Sequence, residues 1–198
     1  MSDHKRIALE INVSAPRFNL TDVFERTINL EAYKGKKVFI AFFRHAGCPF
    51  CNLRVHYLKK HYLEFQKMNL EMIFFFESKA KVLLSSIFHQ EVSPIPLIAD
   101  PQKIWYQTYG IEQSAIKSAK SHLTSFIQTA IKAKLNKLPI HMMAGEESIT
   151  TIPAEFLLDE QLVIRKIHYA KGLNDRLSID HIYEFGSGEV EIDLEKKP

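Results

Sequence analysis

Two kinds of apolar spacing alternate along the chain. Val38-Phe39-Ile40-Ala41-Phe42-Phe43 is apolar at every position, the pattern of a central strand covered on both faces. Lys34-Gly35-Lys36-Lys37 is its polar lead-in. After Cys48-Pro49, the spacing of Leu53, Tyr57, Leu58, Tyr62 and Phe65 predicts a helix that buries those positions, and Pro49 suits its first turn. Met72-Ile73-Phe74-Phe75-Phe76 reads as a second buried strand. Lys79 to Gln90 reads as a helix with Val82, Leu83, Ile87 and Phe88 turned inward. Leu97-Ile98-Ala99-Asp100 is a short strand ending at Pro101, which opens a helix through Tyr109. Strand and helix in this alternation predict a parallel sheet with right-handed crossovers.

The later chain changes pattern. Ala154 to Leu158 and Val163 to Tyr169, joined by Asp159-Glu160-Gln161, predict an antiparallel hairpin. A helix over 178–185 and a polar, loose tail over 187–198 follow. Between the halves, residues 113–138 keep helical spacing through Ile116, Ala119, Leu123, Phe126, Ile127, Ala130, Ile131, Leu135 and Leu138, with Lys117, Lys120, Lys132, Lys134 and Lys137 on the other face. This segment is expected to be a helical insertion that covers the core or a homodimer partner, rather than a membrane-surface or acidic-partner helix.

Composition narrows the class. A chain of 198 residues, 46% hydrophobic, predicts one domain over 1–198 with its core over about 15–185. A net charge of +3 gives no reason to expect nucleic acid as a partner. No apolar run reaches a membrane span, and Met1 to Asn12 lacks a signal-peptide apolar stretch. A cytoplasmic protein with no membrane partner is therefore expected.

The candidate chemistry lies in Arg44-His45-Ala46-Gly47-Cys48-Pro49-Phe50-Cys51. It holds both cysteines of the chain, at a predicted strand-to-helix junction. A helix start presents free N–H groups and the positive end of the peptide dipoles, which favour a thiolate on Cys48. Cys51, one turn further in, could then resolve a mixed disulfide formed on a more exposed Cys48. Arg44 and His45 are the nearest groups for tuning that charge, although an incidental His45 fits the residues equally well. A zinc site built from His45, Cys48, Cys51 and His56 is an alternative, as is a structural pair of thiols. Pro153 cannot donate to a ladder, so it should stand at the head of the following strand. Glu155 is read as an exposed sheet residue and His168 as a packing one.

Together these features resemble the thioredoxin superfamily. Ala15-Pro16-Arg17-Phe18-Asn19-Leu20-Thr21-Asp22, Tyr33-Lys34-Gly35-Lys36-Lys37-Val38, and Leu97-Ile98-Ala99-Asp100-Pro101 followed by Tyr109-Gly110-Ile111 are similar to its alkyl hydroperoxide reductase and thiol-specific antioxidant (AhpC/TSA) branch. Cys48-Pro49-Phe50-Cys51 is most similar to the peroxiredoxin-like members with two cysteines. The resemblance implies an α/β thioredoxin-like fold: a central mixed sheet flanked by helices, an N-terminal β-hairpin extension, and the helical insertion before the last hairpin. It also implies a cis Ile152–Pro153 bond facing the cysteines.

True peroxiredoxins carry a proline and a hydroxyl residue before the peroxidatic cysteine, where this chain, aligned on Cys51, has Arg44 and Cys48. Their late arginine would fall near Pro153. The expected function is a thiol-disulfide oxidoreductase or antioxidant enzyme with no metal or organic cofactor. A cellular dithiol such as a thioredoxin system would reduce it, and a protein disulfide or a hydroperoxide would be its substrate. A hydroperoxide reductase and a non-catalytic redox-sensing module remain as alternatives.

Overall fold

Along β3 (Lys37–Phe42) the side chains of Val38, Ile40 and Phe42 enter one apolar cluster, whereas Phe39 and Ala41 enter another. A strand that fills two cores has no polar face to show, which accounts for its unbroken apolar sequence. The computed structural model describes residues 8–139 and 148–188. A short hairpin, β1 (Asn19–Thr21) with β2 (Thr27–Asn29), precedes β3 and pairs antiparallel.

The chain then runs through α1 (Pro49–Lys60), α2 (Tyr62–Lys67), β4 (Leu70–Phe76), α3 (Ala80–Leu84), α4 (Ile87–Gln90), β5 (Leu97–Ala99), α5 (Ile104–Thr108) and α6 (Ala115–Leu135). The hairpin β6 (Ala154–Leu158) and β7 (Ile164–Tyr169) and the helix α7 (Ile179–Ser187) close the described fold. The five strands lie in the order β5-β4-β3-β6-β7. β4 is parallel to β3 and β5, while β6 is antiparallel to β3 and β7, so the sheet is mixed.

One face of the sheet carries the N-terminal hairpin and α5 through Phe18, Phe75, Tyr106, Tyr109 and Phe156. Phe42 sits at its centre, stacked on Phe75 at 4.6 Å and edge-on to Tyr106 and Phe156. The opposite face carries α1, α2, α3 and α7 through Val55, Phe65, Leu83 and Ile182, and it includes both cysteines.

Three expectations are corrected by tertiary packing. The helix predicted over 79–90 is two short helices, because Ser85 turns its hydroxyl onto the Val82 carbonyl and gives the backbone a competing bond. Leu83 and His89 are the buried residues there, and Ile87 is exposed.

In α1 the buried face is Cys51, Asn52, Arg54, Val55 and Leu58, with Tyr57 exposed. Asn52 and Arg54 go inside because each meets partners there.

The third correction concerns α6, which packs on α1. Ser118, Thr129 and Ala133 are buried, and Ile116, Ile127, Ile131 and Leu135 are exposed. Small side chains permit the close approach of the two helices, and the Ser118 hydroxyl donates to the Ile149 carbonyl. No described helix is long and apolar enough to cross a membrane. The predicted tail lies, beyond residue 188, outside the described residues.

Candidate active site

β3 ends at Phe42 in the middle of the sheet, and the chain turns through Phe43 to Gly47 into α1. Polar groups stitch that turn. The Ala46 N–H donates to Ser78 Oγ at 2.7 Å, and Asn52 Nδ2 donates to the carbonyls of Ala46 and Pro139 at 2.7 and 2.8 Å. Asn52 Oδ1 meets His89 Nε2 at 3.2 Å. The Tyr106 hydroxyl donates to the Phe43 carbonyl at 2.5 Å. Burial, with the nearby charges of Glu77 and Asp100, holds that phenol well above its ordinary pKa and keeps it a donor.

Cys48 occupies the N-cap of α1, with Pro49 in the first turn. Its N–H donates to the His45 carbonyl at 3.0 Å, which fixes His45 in the turn with its side chain buried. Arg44 contacts both sulfurs: its backbone N–H donates to Cys51 Sγ at 3.3 Å, and its Nη1 lies 3.9 Å from Cys48 Sγ. Arg44 is 1% exposed, and its Nε and Nη2 have no hydrogen-bond partner among the described residues. A buried guanidinium with no carboxylate beside it among the described residues makes a nearby thiolate favourable.

Burial by itself pushes the Cys48 thiol up. The hydrogen bond from the Cys51 thiol, the Arg44 charge, the Cys51 backbone N–H and the Arg176 charge outweigh it and lower the pKa to about 6. The Cys48 side chain closes no cap hydrogen bond in the strict geometric sense, so the Cys51 N–H acts here as a nearby dipole. Cys51 moves the other way: burial and its hydrogen bond and charge contact with Cys48 raise it well above the ordinary thiol value. The pair therefore holds one thiolate, on Cys48, and one thiol, on Cys51.

Two residues undervalued in the sequence join the site. Glu155 is buried on β6, where it takes a two-pronged contact from Arg54, Nε to Oε1 at 2.8 Å and Nη2 to Oε2 at 2.9 Å. It also accepts the Leu177 N–H at 2.9 Å. Arg176 lies 3.7 Å from Glu155 Oε1 and adds positive potential at both sulfurs. Glu155 thus sits at hydrogen-bond distance from Arg54 and more loosely beside Arg176, and Arg44 is the guanidinium in direct contact with a sulfur. Nothing local announces Arg176; the one available signal for Glu155 was its place two residues after Pro153.

Other expectations are revised. The difference in exposure between the two cysteines is nominal, 1% for Cys48 and 0% for Cys51. Pro153 stands one step beyond the Phe42–Ala154 pair, at the head of β6, where its carbonyl accepts the Ala170 N–H. Its peptide bond is trans, and the cis bond among the described residues is Ser93–Pro94. No three His, Cys, Asp or Glu side chains among the described residues are placed to share an ion. His45, Cys48, Cys51 and His56 thus do not form the zinc arrangement. His168 is half-buried and pairs with Asp175 at 3.0 Å.

Comparison with known proteins agrees with this architecture. Residues 11–167 match the AhpC/TSA family. The chain belongs to that family. This AhpC/TSA member is 26% identical over 107 residues to the thiol-disulfide oxidoreductases ResA of Bacillus thuringiensis subsp. konkukian (strain 97-27) and Bacillus cereus (strain ATCC 10987 / NRS 248). That match spans 54% of the chain and 61% of each relative, less than two thirds of their length. Its fold is similar to peroxidoxin BcpB from Mycobacterium tuberculosis, with a TM-score of 0.60 at 12% identity, covering 91% of this chain and 95% of that one. It is also similar to a thiol peroxidase from Chromobacterium violaceum, with a TM-score of 0.61 at 15% identity, covering 93% and 90%.

Proposed function

We propose that this AhpC/TSA protein is a thiol-disulfide oxidoreductase of the cytoplasm in which Cys48 attacks and Cys51 resolves. The observation that carries the reading is the buried Arg44 guanidinium 3.9 Å from Cys48 Sγ at a helix N-cap, with Cys51 one turn on. The Cys48 thiolate attacks one sulfur of a substrate disulfide, forming a mixed disulfide and expelling a thiolate that takes up a proton. Cys51 loses its proton and attacks Cys48 Sγ, which releases the second substrate thiol and leaves a Cys48–Cys51 disulfide. The substrate gains two electrons. A cellular dithiol such as a thioredoxin system returns them by the same exchange in reverse. The ResA relatives, named as thiol-disulfide oxidoreductases, support this reading.

A second reading rests on burial. At 1% exposure, Cys48 is more accessible to a small oxidant than to a protein disulfide. With a hydroperoxide, the thiolate would take the terminal oxygen, giving a sulfenic acid and an alcohol. Cys51 would then condense with the sulfenic acid, releasing water and forming the same disulfide.

One experiment separates them. Turnover of a small aromatic disulfide and of hydrogen peroxide, with dithiothreitol as reductant, is measured for the native chain and for Cys48→Ser and Cys51→Ser. Disulfide reduction that both variants lose, with slow peroxide consumption, supports the oxidoreductase. Fast peroxide consumption lost in Cys48→Ser supports the peroxidase. Failure to form a reversible Cys48–Cys51 disulfide under mild oxidation overturns both.

A further inference from the structure

Among the described side chains of the 21-residue helix α6, three small ones are buried and four large aliphatic ones are exposed. Ser118, Thr129 and Ala133 are buried, whereas Ile116, Ile127, Ile131 and Leu135 are 83%, 74%, 54% and 77% exposed. At about 3.6 residues per turn these four fall on one stripe, on the side of the helix opposite the buried three. Gln128, Lys132, Lys134, Asn136 and Lys137 around it are also exposed. Among the described residues the stripe is therefore a convex ridge without walls.

Charge decides what fits it. From Ala115 to Lys137 the chain carries Lys117, Lys120, Lys132, Lys134 and Lys137 and no Asp or Glu. Of these, Lys117 is paired with Glu112 at 2.7 Å. A second copy would set a lysine-only helix against a lysine-only helix, with no carboxylate to alternate, so self-association is opposed by like charge. A redox partner is disfavoured by direction: the stripe faces away from α1, which carries Cys51, so a protein held there would not present its thiols to the site. A flat, anionic, apolar surface satisfies both the ridge and the lysines.

We propose that α6 is an interfacial helix that lays Ile116, Ile127, Ile131 and Leu135 into the headgroup boundary of an anionic lipid bilayer. The flanking Lys132 and Lys134 meet the lipid phosphates. This is a contact in the plane of the membrane surface, distinct from a span, and it leaves the cysteine site uncovered.

Co-sedimentation of the full chain tests this, using large vesicles made of equal parts phosphatidylglycerol and phosphatidylcholine, or of phosphatidylcholine alone. The expected result is binding to the anionic vesicles, weaker by at least about tenfold on the neutral ones and reduced by added salt. The double variants Ile127→Asp/Ile131→Asp and Ile127→Ser/Ile131→Ser should each lose binding by at least about tenfold. Their circular dichroism and Cys48 alkylation rate should match the native chain. Absence of binding to the anionic vesicles, equal binding to both vesicles, or unchanged binding of the double variants overturns the proposal. So does a dimer, seen by ultracentrifugation, that Ile127→Asp/Ile131→Asp splits without any vesicle binding by the native chain.

Discussion

The Nη1 of Arg44 stands 3.9 Å from the sulfur of Cys48, and both side chains are buried. The same residue's backbone N–H donates to the sulfur of Cys51. Arg44 therefore addresses both members of the pair, by charge on one side and by a hydrogen bond on the other. Losing the guanidinium affects Cys48 while leaving the Cys51 contact in place.

Arg44→Met should raise the Cys48 pKa from about 6 towards the unperturbed thiol value of about 8.5. The check is the pH dependence of iodoacetamide alkylation, whose midpoint should move upward in the variant. At pH 7 the alkylation rate should fall by about tenfold, following the thiolate fraction.

The reduced protein should gain stability as pH rises between about 6 and about 8.5. The sign follows from linkage: the unfolded thiol keeps its proton over that window while the folded Cys48 has lost it, so the unfolded state binds more protons. That stabilisation is present above the unfolded value and disappears as pH falls through the folded one. Urea melts of the reduced native chain should show the slope. Cys48→Ser should remove it, and the disulfide form should lack it.

Glu155→Gln should destabilise the fold by about 3–5 kcal/mol, because it leaves the Arg54 charge without its counter-ion in a buried position. The side chains are 1% and 9% exposed, so solvent screens the pair little. Denaturant unfolding measures the loss. An Arg54→Met/Glu155→Leu double variant should recover only part of it, since the Arg54 charge is then no longer buried alone but Arg176, 3.7 Å from Glu155 Oε1, still loses its carboxylate.

Asn52→Leu should cost about 1–3 kcal/mol by stranding the buried carbonyl of Ala46. The same bond holds the turn that carries Cys48. Its loss should speed Cys48 alkylation above pH 8, where the thiolate is already formed, because access then limits the rate.

Phe42→Ala should cost about 3–5 kcal/mol, since its ring packs against Phe75, Tyr106, Tyr109 and Phe156 at the centre of one face. The alkylation pH midpoint should stay in place, because Cys48 belongs to the cluster on the other face.

The sequence by itself determined the strands, their order of appearance and the junction that sets Cys48 at the start of a helix. Those features follow from local periodicity: Val38 to Phe43 has no polar face, and Pro49 opens the turn. Tertiary structure alone decided which charges meet the sulfurs. Arg44 could have pointed to solvent, and Arg176 and Glu155 reach the site only because β6 pairs with β3 and the chain returns ahead of α7. It also decided the trans bond at Pro153 and the outward face of α6. Periodicity shows that a helix has an apolar side, but the direction of that side depends on which side approaches its neighbour more closely. In α6, which packs on α1, Ser118, Thr129 and Ala133 are the buried positions.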